Sequence, residues 1–432
     1  MTQGGHSLRN TAKNVSLIAL VLLLCALCAA NWLTGLDFDR MPADSLLRRA
    51  YDQVSGGAVG YELRSSGTAA AEPAQLALPA EGQLYGVQYS LTDLDASLEI
   101  VRPLWAEVLR GDGLSRAEES ELIAALAAGD CALLRYHGAI PFGVIAGWMG
   151  GAWESDSNLL VESLIYAAGS EQLFVRTWDG ALYAASARAE EATLHVAQEN
   201  FRGLPCSFSG DSYEVKPETL LFEREMVTLP LLRAGDAELF GTQNSVGMED
   251  LLDSFGFTPY ANYYAEQNDR VRVFVDDVST LRVHMTGLLQ YAAGTDSTVR
   301  AYDAGEASGR AALDAQIDCA RSILDAAMRV GETETHASLY TVHQENGRTT
   351  LVFMQMFGGV PVLGDSDFAT FVFAEGSLTA ATIRLQRFRM EEERRTVLPA
   401  RQAAAGAQTA GSGLVIAYRL SGEQYVPGRF YL

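Results

Sequence analysis

Two hydrophobic rhythms divide this chain, and one stretch follows neither. Val15–Leu33 (VSLIALVLLLCALCAANWL) is a run of nineteen uncharged residues between Lys13 and Asp37. At about 1.5 Å per residue a helix of that length spans roughly 28 Å, against ~30 Å of bilayer hydrocarbon. The run therefore predicts a single transmembrane helix, with Trp32 at the headgroup level of its outer end. Ala29-Ala30 would suit a cleavage site, but the run exceeds the roughly 7–15-residue apolar core of a signal peptide. Leu24 and Leu27 precede Cys25 and Cys28, where a lipoprotein signal needs a small residue. Arg9 and Lys13 flank the inner side, so the expected topology places a short cytoplasmic tail at 1–14, the span at 15–33 and the body outside the cytoplasm.

Beyond the span, 34–82 reads as a juxtamembrane segment and linker, with helical spacing at Leu46, Leu47, Ala50 and Tyr51 before an Ala/Glu/Pro mixture at Thr68–Pro79. Alternation at Leu84–Tyr89 predicts a strand, and helical spacing predicts a helix over Thr92–Leu109 that Pro103 kinks or splits. Ser115 and Glu118 suggest a capping box for a helix over Arg116–Ala128, closed by Gly129. Cys131–Tyr136 reads as a strand ending in an Ile140-Pro141-Phe142 turn, and Asp179-Gly180 joins a hairpin. These elements make an N-terminal α+β domain over 83–240.

Two further α+β units are expected at 241–306 and 307–432. The first opens with a helix over Met248–Phe255. Strands follow at Val271–Val275 and Leu281–Tyr291, the second bulged near Gly287. The other opens with the strongest helical pattern of the body, Ser308–Val330, with Leu313, Ile317, Ala320, Ile323, Leu324, Ala327 and Met328 on one face. Hairpins over Glu345-Asn346-Gly347 and Glu375-Gly376-Ser377, a helix at Ala400–Ala407 and strands from Leu414 complete it. The order helix, then antiparallel strands, recurs without a residue-level repeat, and the class is α+β.

Composition narrows the partners. The formal charge is −22, with Lys13 and Lys216 the only lysines. An acidic body argues against nucleic acid and against electrostatic adhesion to anionic lipid. Cys25 and Cys28 lie inside the apolar run and act there as small apolar residues. Cys131, Cys206 and Cys319 leave two readings open: one disulfide plus a thiol, or three buried thiols.

The sequence shows none of the common catalytic motifs of hydrolases, metalloproteases or nucleotide-binding loops. His284 reads as a sheet residue, and His336 and His343 as strand residues with little claim to bind metal together. Asp276-Asp277, Asp365/Asp367 and Glu391–Glu393 read as solvated turns. Arg384, Arg387, Arg389, Arg394 and Arg395 form the one concentrated basic stretch, a salt-bridged exit from the sheet or a partner-binding face. A non-enzymatic role is expected, with no catalytic residue, metal or cofactor.

Taken together, the segments resemble the YycH/YycI family of Gram-positive bacteria. The similarity rests on the N-terminal span, the two helices leading into CALLRYHGAIPFGV, MEDLLDSFGF followed by VRVFVDDVSTLRVHMTGLLQYAA, and LVFMQMFGGVPVLG with the hairpin and helix after it. Length favours the YycH type, whereas Pro427-Gly428-Arg429 departs from the family's C-terminal Pro-x-Trp. The resemblance implies PepSY/YycI-like repeated units and a membrane-anchored regulator of the WalK (YycG) sensor histidine kinase, with a second YycH/YycI-type protein as a further candidate partner. Ser16, Ala26, Ala29 and Ala30 are then candidates for a helix–helix contact in the membrane, because small residues allow close approach; Trp32 would anchor the end. The competing reading is a PepSY-like module, anchored or secreted, that binds a peptide, a peptidase or an envelope polymer.

Overall fold

The alternating segments of the body pair almost entirely antiparallel, and they sort into two sheets that change hands between Phe222 and Thr228. A computed structural model describes residues 70–431 apart from 90, 112, 154–157, 224, 238, 241–244, 259–262, 268, 295–296, 304, 306, 332–334, 410 and 412. The predicted transmembrane helix and its residues Ser16, Ala26, Ala29, Ala30 and Trp32 lie outside the described residues. No helix among those described is long and apolar enough to cross a membrane.

The first sheet contains β1 (Pro73–Ala80), β2 (Gln83–Gln88), β3 (Ser115–Arg116), β4 (Cys131–Pro141) and β5 (Leu160–Ala167). It continues with β6 (Gln172–Thr177), β7 (Leu182–Ser186), β8 (Leu204–Phe208) and β9 (Leu220–Phe222). Their spatial order is β3-β7-β6-β5-β4-β1-β2-β8-β9. Period-two alternation sends Leu134, Leu164 and Val175 into one core and Leu133, Ile165 and Phe174 into another. Helices α1 (Leu91–Val108), α3 (Phe142–Met149) and α4 (Glu191–Asn200) cover the first face; α2 (Glu119–Ala128) covers the second with Leu122 and Leu126. Because both faces are covered, β4 is buried along its whole length and its sequence is nearly continuous in apolar character.

The second sheet begins with β10 (Thr228–Asp236), β11 (Tyr263–Glu266), β12 (Val271–Val275), β13 (Ser279–His284) and β14 (Leu288–Ala293). It continues through β15 (His336–Glu345), β16 (Arg348–Phe357), β17 (Val360–Leu363), β18 (Ala369–Ala374) and β19 (Ser377–Arg384). Last come β20 (Gln386–Thr396), β21 (Leu414–Ser421) and β22 (Gln424–Tyr431). One run of strands is ordered β11-β12-β13-β14-β19-β18-β16-β15, so the two expected helix-plus-strand units share a sheet through the β14–β19 ladder. Helices α5 (Ser245–Ser254) and α6 (Gly309–Gly331) pack together beside it. The α6 face named from the sequence is buried from Leu313 to Met328, and each fully buried Leu or Ile contributes about 1.5–3 kcal/mol. The far half of β16 branches to β17, and β17-β21-β22-β10-β20 surround Phe357, Phe388, Tyr418 and Tyr425.

The two sheets meet at several places: the Leu339 amide of β15, for one, donates to the Ala70 carbonyl just ahead of β1 at 2.9 Å. Thr341 of β15 forms a parallel bridge to Ala139 of β4. Helix α7 (Ala400–Ala405) buries Ala400, Ala403 and Ala404 against Val215 and Leu221. Glu225 accepts hydrogen bonds from the Gln88 side chain, the Arg429 guanidinium and the Ala400 amide, tying four segments together.

Several expectations need correction. Pro73–Ala80 is a buried strand rather than linker: it is laddered to β2 on one side and β4 on the other, and Leu76 and Leu78 join the core. Ser115 pairs as a strand residue with Ala184 and its hydroxyl donates to that carbonyl, so no capping box forms and α2 starts at Glu119. Pro141 does not end a turn: β4 runs to it, it caps α3 with an extended backbone, and α3 begins at Phe142, whose amide donates to the Leu159 carbonyl at 2.8 Å. Gly287, with φ of 99°, turns a β13–β14 hairpin rather than bulging one strand. The basic stretch is no exit from the sheet: Arg384 ends β19, and Arg387, Arg389, Arg394 and Arg395 lie in β20, paired with β10, where Arg233 and Glu391 meet at 2.7 Å. Pro103 is accommodated inside an unbroken α1.

Candidate functional site

The ladder between β4 and β5 breaks at one point. Arg135 faces Ser163 and Ile140 faces Val161, so Tyr136–Ala139 stand opposite Glu162 alone. A bulge of this kind re-aims side chains and bends its strand. Here it pushes Gly138 against β15: a Cβ on Gly138 would lie 1.9 Å from the Tyr340 carbonyl oxygen. The bulge thus creates the junction between the sheets, and beside it lies a cavity of about 400 Å³.

Arg135, Tyr136 and His137 line the cavity from β4, joined by Gln75 from β1 and Glu162 from β5. Lys216 reaches in from the loop before β9, and Trp178 stands in the β6–β7 turn. Tyr340, Leu414 and Val415 complete the lining from the second sheet. Arg135 Nη2 lies 2.7 Å from Glu162 Oε1, and the other Glu162 oxygen takes Lys216 Nζ. Arg135 Nη1 also donates to the Leu414 carbonyl at 3.4 Å. Behind this pair, Arg176 bonds Glu218 at 3.0 Å and Glu119 at 2.7 Å.

These contacts fix the charge states. Burial alone would raise the Glu162 pKa, but Arg135 and Lys216 outweigh it and hold the carboxyl below its usual range. Burial likewise opposes the Arg135 charge, and Glu162 overcomes it. Glu162 is therefore a fixed anion between two cations, not a proton donor.

His137 is a different case. It is only 6 % exposed, and neither ring nitrogen has a hydrogen-bond partner. Burial lowers its pKa to about 4, with Arg135 and His336 adding to the effect and Glu72 opposing it. The ring is neutral, with one donor and one acceptor unused. Gln75 donates through Nε2 to Gln88 at 2.9 Å, while its Oε1 is buried without a partner. Tyr89 has a φ of +56°, a left-handed conformation that is uncommon for a bulky residue. That turn sends its ring across the junction, where its hydroxyl oxygen accepts the Ile416 amide at 3.1 Å.

The other sequence candidates lie elsewhere. His336 bonds Glu72 at 2.7 Å, His343 is exposed and His284 is half-buried in β13. No group of three or more His, Cys, Asp or Glu able to hold a metal occurs among the described residues. Cys131, Cys206 and Cys319 are free thiols. The cavity residues were missed in the sequence, although a signal existed. Arg135 and His137 in CALLRYHGAIP and Glu162 in LVESLIYA are polar residues inside apolar strand runs, which calls for buried partners.

No family model matches this sequence, and no curated protein is matched. Among solved structures, the crystal structure of YycH from Bacillus subtilis is similar at 13 % identity, covering 85 % of this chain and 98 % of that chain, with a TM-score of 0.47.

Proposed function

We propose that this chain is a membrane-anchored, non-enzymatic regulator that binds a sensor histidine kinase through its transmembrane helix and its extracytoplasmic body. The observation that carries the reading is the nineteen-residue uncharged run Val15–Leu33 ahead of a large acidic α+β body. A span of that kind holds the body at the membrane face, where a kinase ectodomain would stand. A partner that binds one signalling state better shifts the kinase equilibrium by its differential affinity alone. The fixed ion pairs around Glu162 support a binding rather than a catalytic role, since its charge is held by Arg135 and Lys216.

The test is crosslinking of the full-length protein in its native membrane, with mass spectrometry of the captured proteins. A sensor kinase linked through the span or the body is the expected result. Capture of peptidases or cell-wall proteins without a kinase would overturn it. Replacing Val15–Leu33 with an unrelated span should abolish regulation if the helix itself makes the contact.

A further inference from the structure

The cavity at the sheet junction has unused hydrogen-bonding capacity, while its buried charges are already paired. Arg135 and Lys216 pair with Glu162, and behind them Arg176 pairs with Glu218 and Glu119, so a charged ligand on the floor would have to break one of these pairs; Asp179, exposed beside Trp178, accepts from the Thr177 hydroxyl and the Ala181 amide. Both His137 nitrogens and Gln75 Oε1 are instead buried and unpartnered. Buried polar atoms without partners are rare in folded proteins, and a run of them lining a cavity marks a place that a polar, neutral molecule satisfies.

The mouth supplies the second half of the chemistry. Trp178 is 42 % exposed, unusual for an indole, and is held edge-on by Tyr340 at 5.8 Å between ring centres. This aromatic ring lines the same cavity as His137 and Gln75. A peptide adding as a strand finds no edge at this point: Gln75 is already paired to Gln88 on one side and to Arg135 on the other. A pyranose ring fits both halves, with an apolar C–H face for an aromatic ring and hydroxyls that both donate and accept.

We propose that the junction cavity binds an uncharged saccharide, stacked on Trp178 and hydrogen-bonded to His137 and Gln75. The site belongs to the body alone and does not depend on the kinase-regulator reading; a failure of either leaves the other standing.

The test uses the full-length chain in nanodiscs, which avoids sugar-headed detergents. Chitotriose and cellotriose are titrated while tryptophan fluorescence is followed, with saturation-transfer NMR on each sugar. At least one is expected to bind saturably. Trp178→Ala should weaken binding tenfold or more while the protein still unfolds cooperatively, its midpoint lowered no further than loss of the Tyr340 edge contact requires. His137→Phe should weaken it similarly, and no existing protein hydrogen bond is lost in that variant. Absence of saturable binding by both sugars at millimolar concentration would overturn the proposal. So would binding that both variants leave unchanged, or displacement of the sugar's signal only by charged peptides.

Discussion

Gly138 and Tyr340 touch backbone to backbone, so closely that the smallest side chain at Gly138 would lie 1.9 Å from the Tyr340 carbonyl oxygen. The contact sits beside the Ala139–Thr341 bridge, the one ladder pairing between the two sheets among the described residues. Only glycine permits the bulged β4 to approach β15 this closely.

Gly138→Ala should therefore force the sheets apart rather than displace a flexible side chain. The expected cost is about 1–3 kcal/mol or more, the usual range for overpacking. Thermal denaturation should show a lowered midpoint, with a change in the tryptophan spectrum as Trp178 loses its contact with Tyr340.

Glu162→Gln should be more damaging than its position in an apolar strand suggests. The amide leaves Arg135 and Lys216, which are 7 % and 16 % exposed, without their shared anion. Stranding a buried charge typically costs about 3–5 kcal/mol. Denaturant unfolding checks this, and a loss below about 1 kcal/mol would show that water enters and solvates the cations.

Acid should weaken the fold in two stages. The pKa of His137 is depressed to about 4 by burial, so below its ordinary value the unfolded chain binds a proton that the folded chain refuses. Stability is full above pH ~6.5 and falls as the pH drops towards 4, by up to about 3 kcal/mol. Glu162, also depressed, adds a further loss as the pH falls below the usual carboxylate range. In His137→Phe the first stage should vanish while the second persists, which unfolding curves across that pH range will show.

The thiols should be inert until the body unfolds. Burial pushes Cys131 and Cys206 up to about 12 and Cys319 up to about 11, so the reactive thiolate is scarce at neutral pH. Native labelling with iodoacetamide, mapped by mass spectrometry, should leave these positions unmodified, and labelling in denaturant should modify all three. Ready native labelling of Cys206 would mean that β8 opens locally.

What the sequence determined by itself was local. The α6 face from Leu313 to Met328, the Asn346-Gly347 turn and the Gly129 helix end follow from period, left-handed geometry and capping. The backbone at Asn346 and Gly347 has φ of 51° and 72°, as the preferred two-residue hairpin turn demands. Such features depend on neighbours a few residues away and need no knowledge of the fold. Strands buried on both faces fared worse: Pro73–Ala80 and Leu160–Ala167 carry no alternation to read, because helices or loops cover each side.

The site belongs wholly to tertiary structure. Gln75, Arg135, Glu162, Lys216, Tyr340 and Leu414 come from strands and loops scattered across the body, and only pairing registers bring them to one cavity. The β4 bulge that sets His137 in the cavity lining and brings Gly138 against Tyr340 arises from a mismatch between two partner strands, a property neither strand carries alone. Polar residues inside apolar runs announced that partners must exist. Which partners they find is decided by the long-range pairing of the sheets.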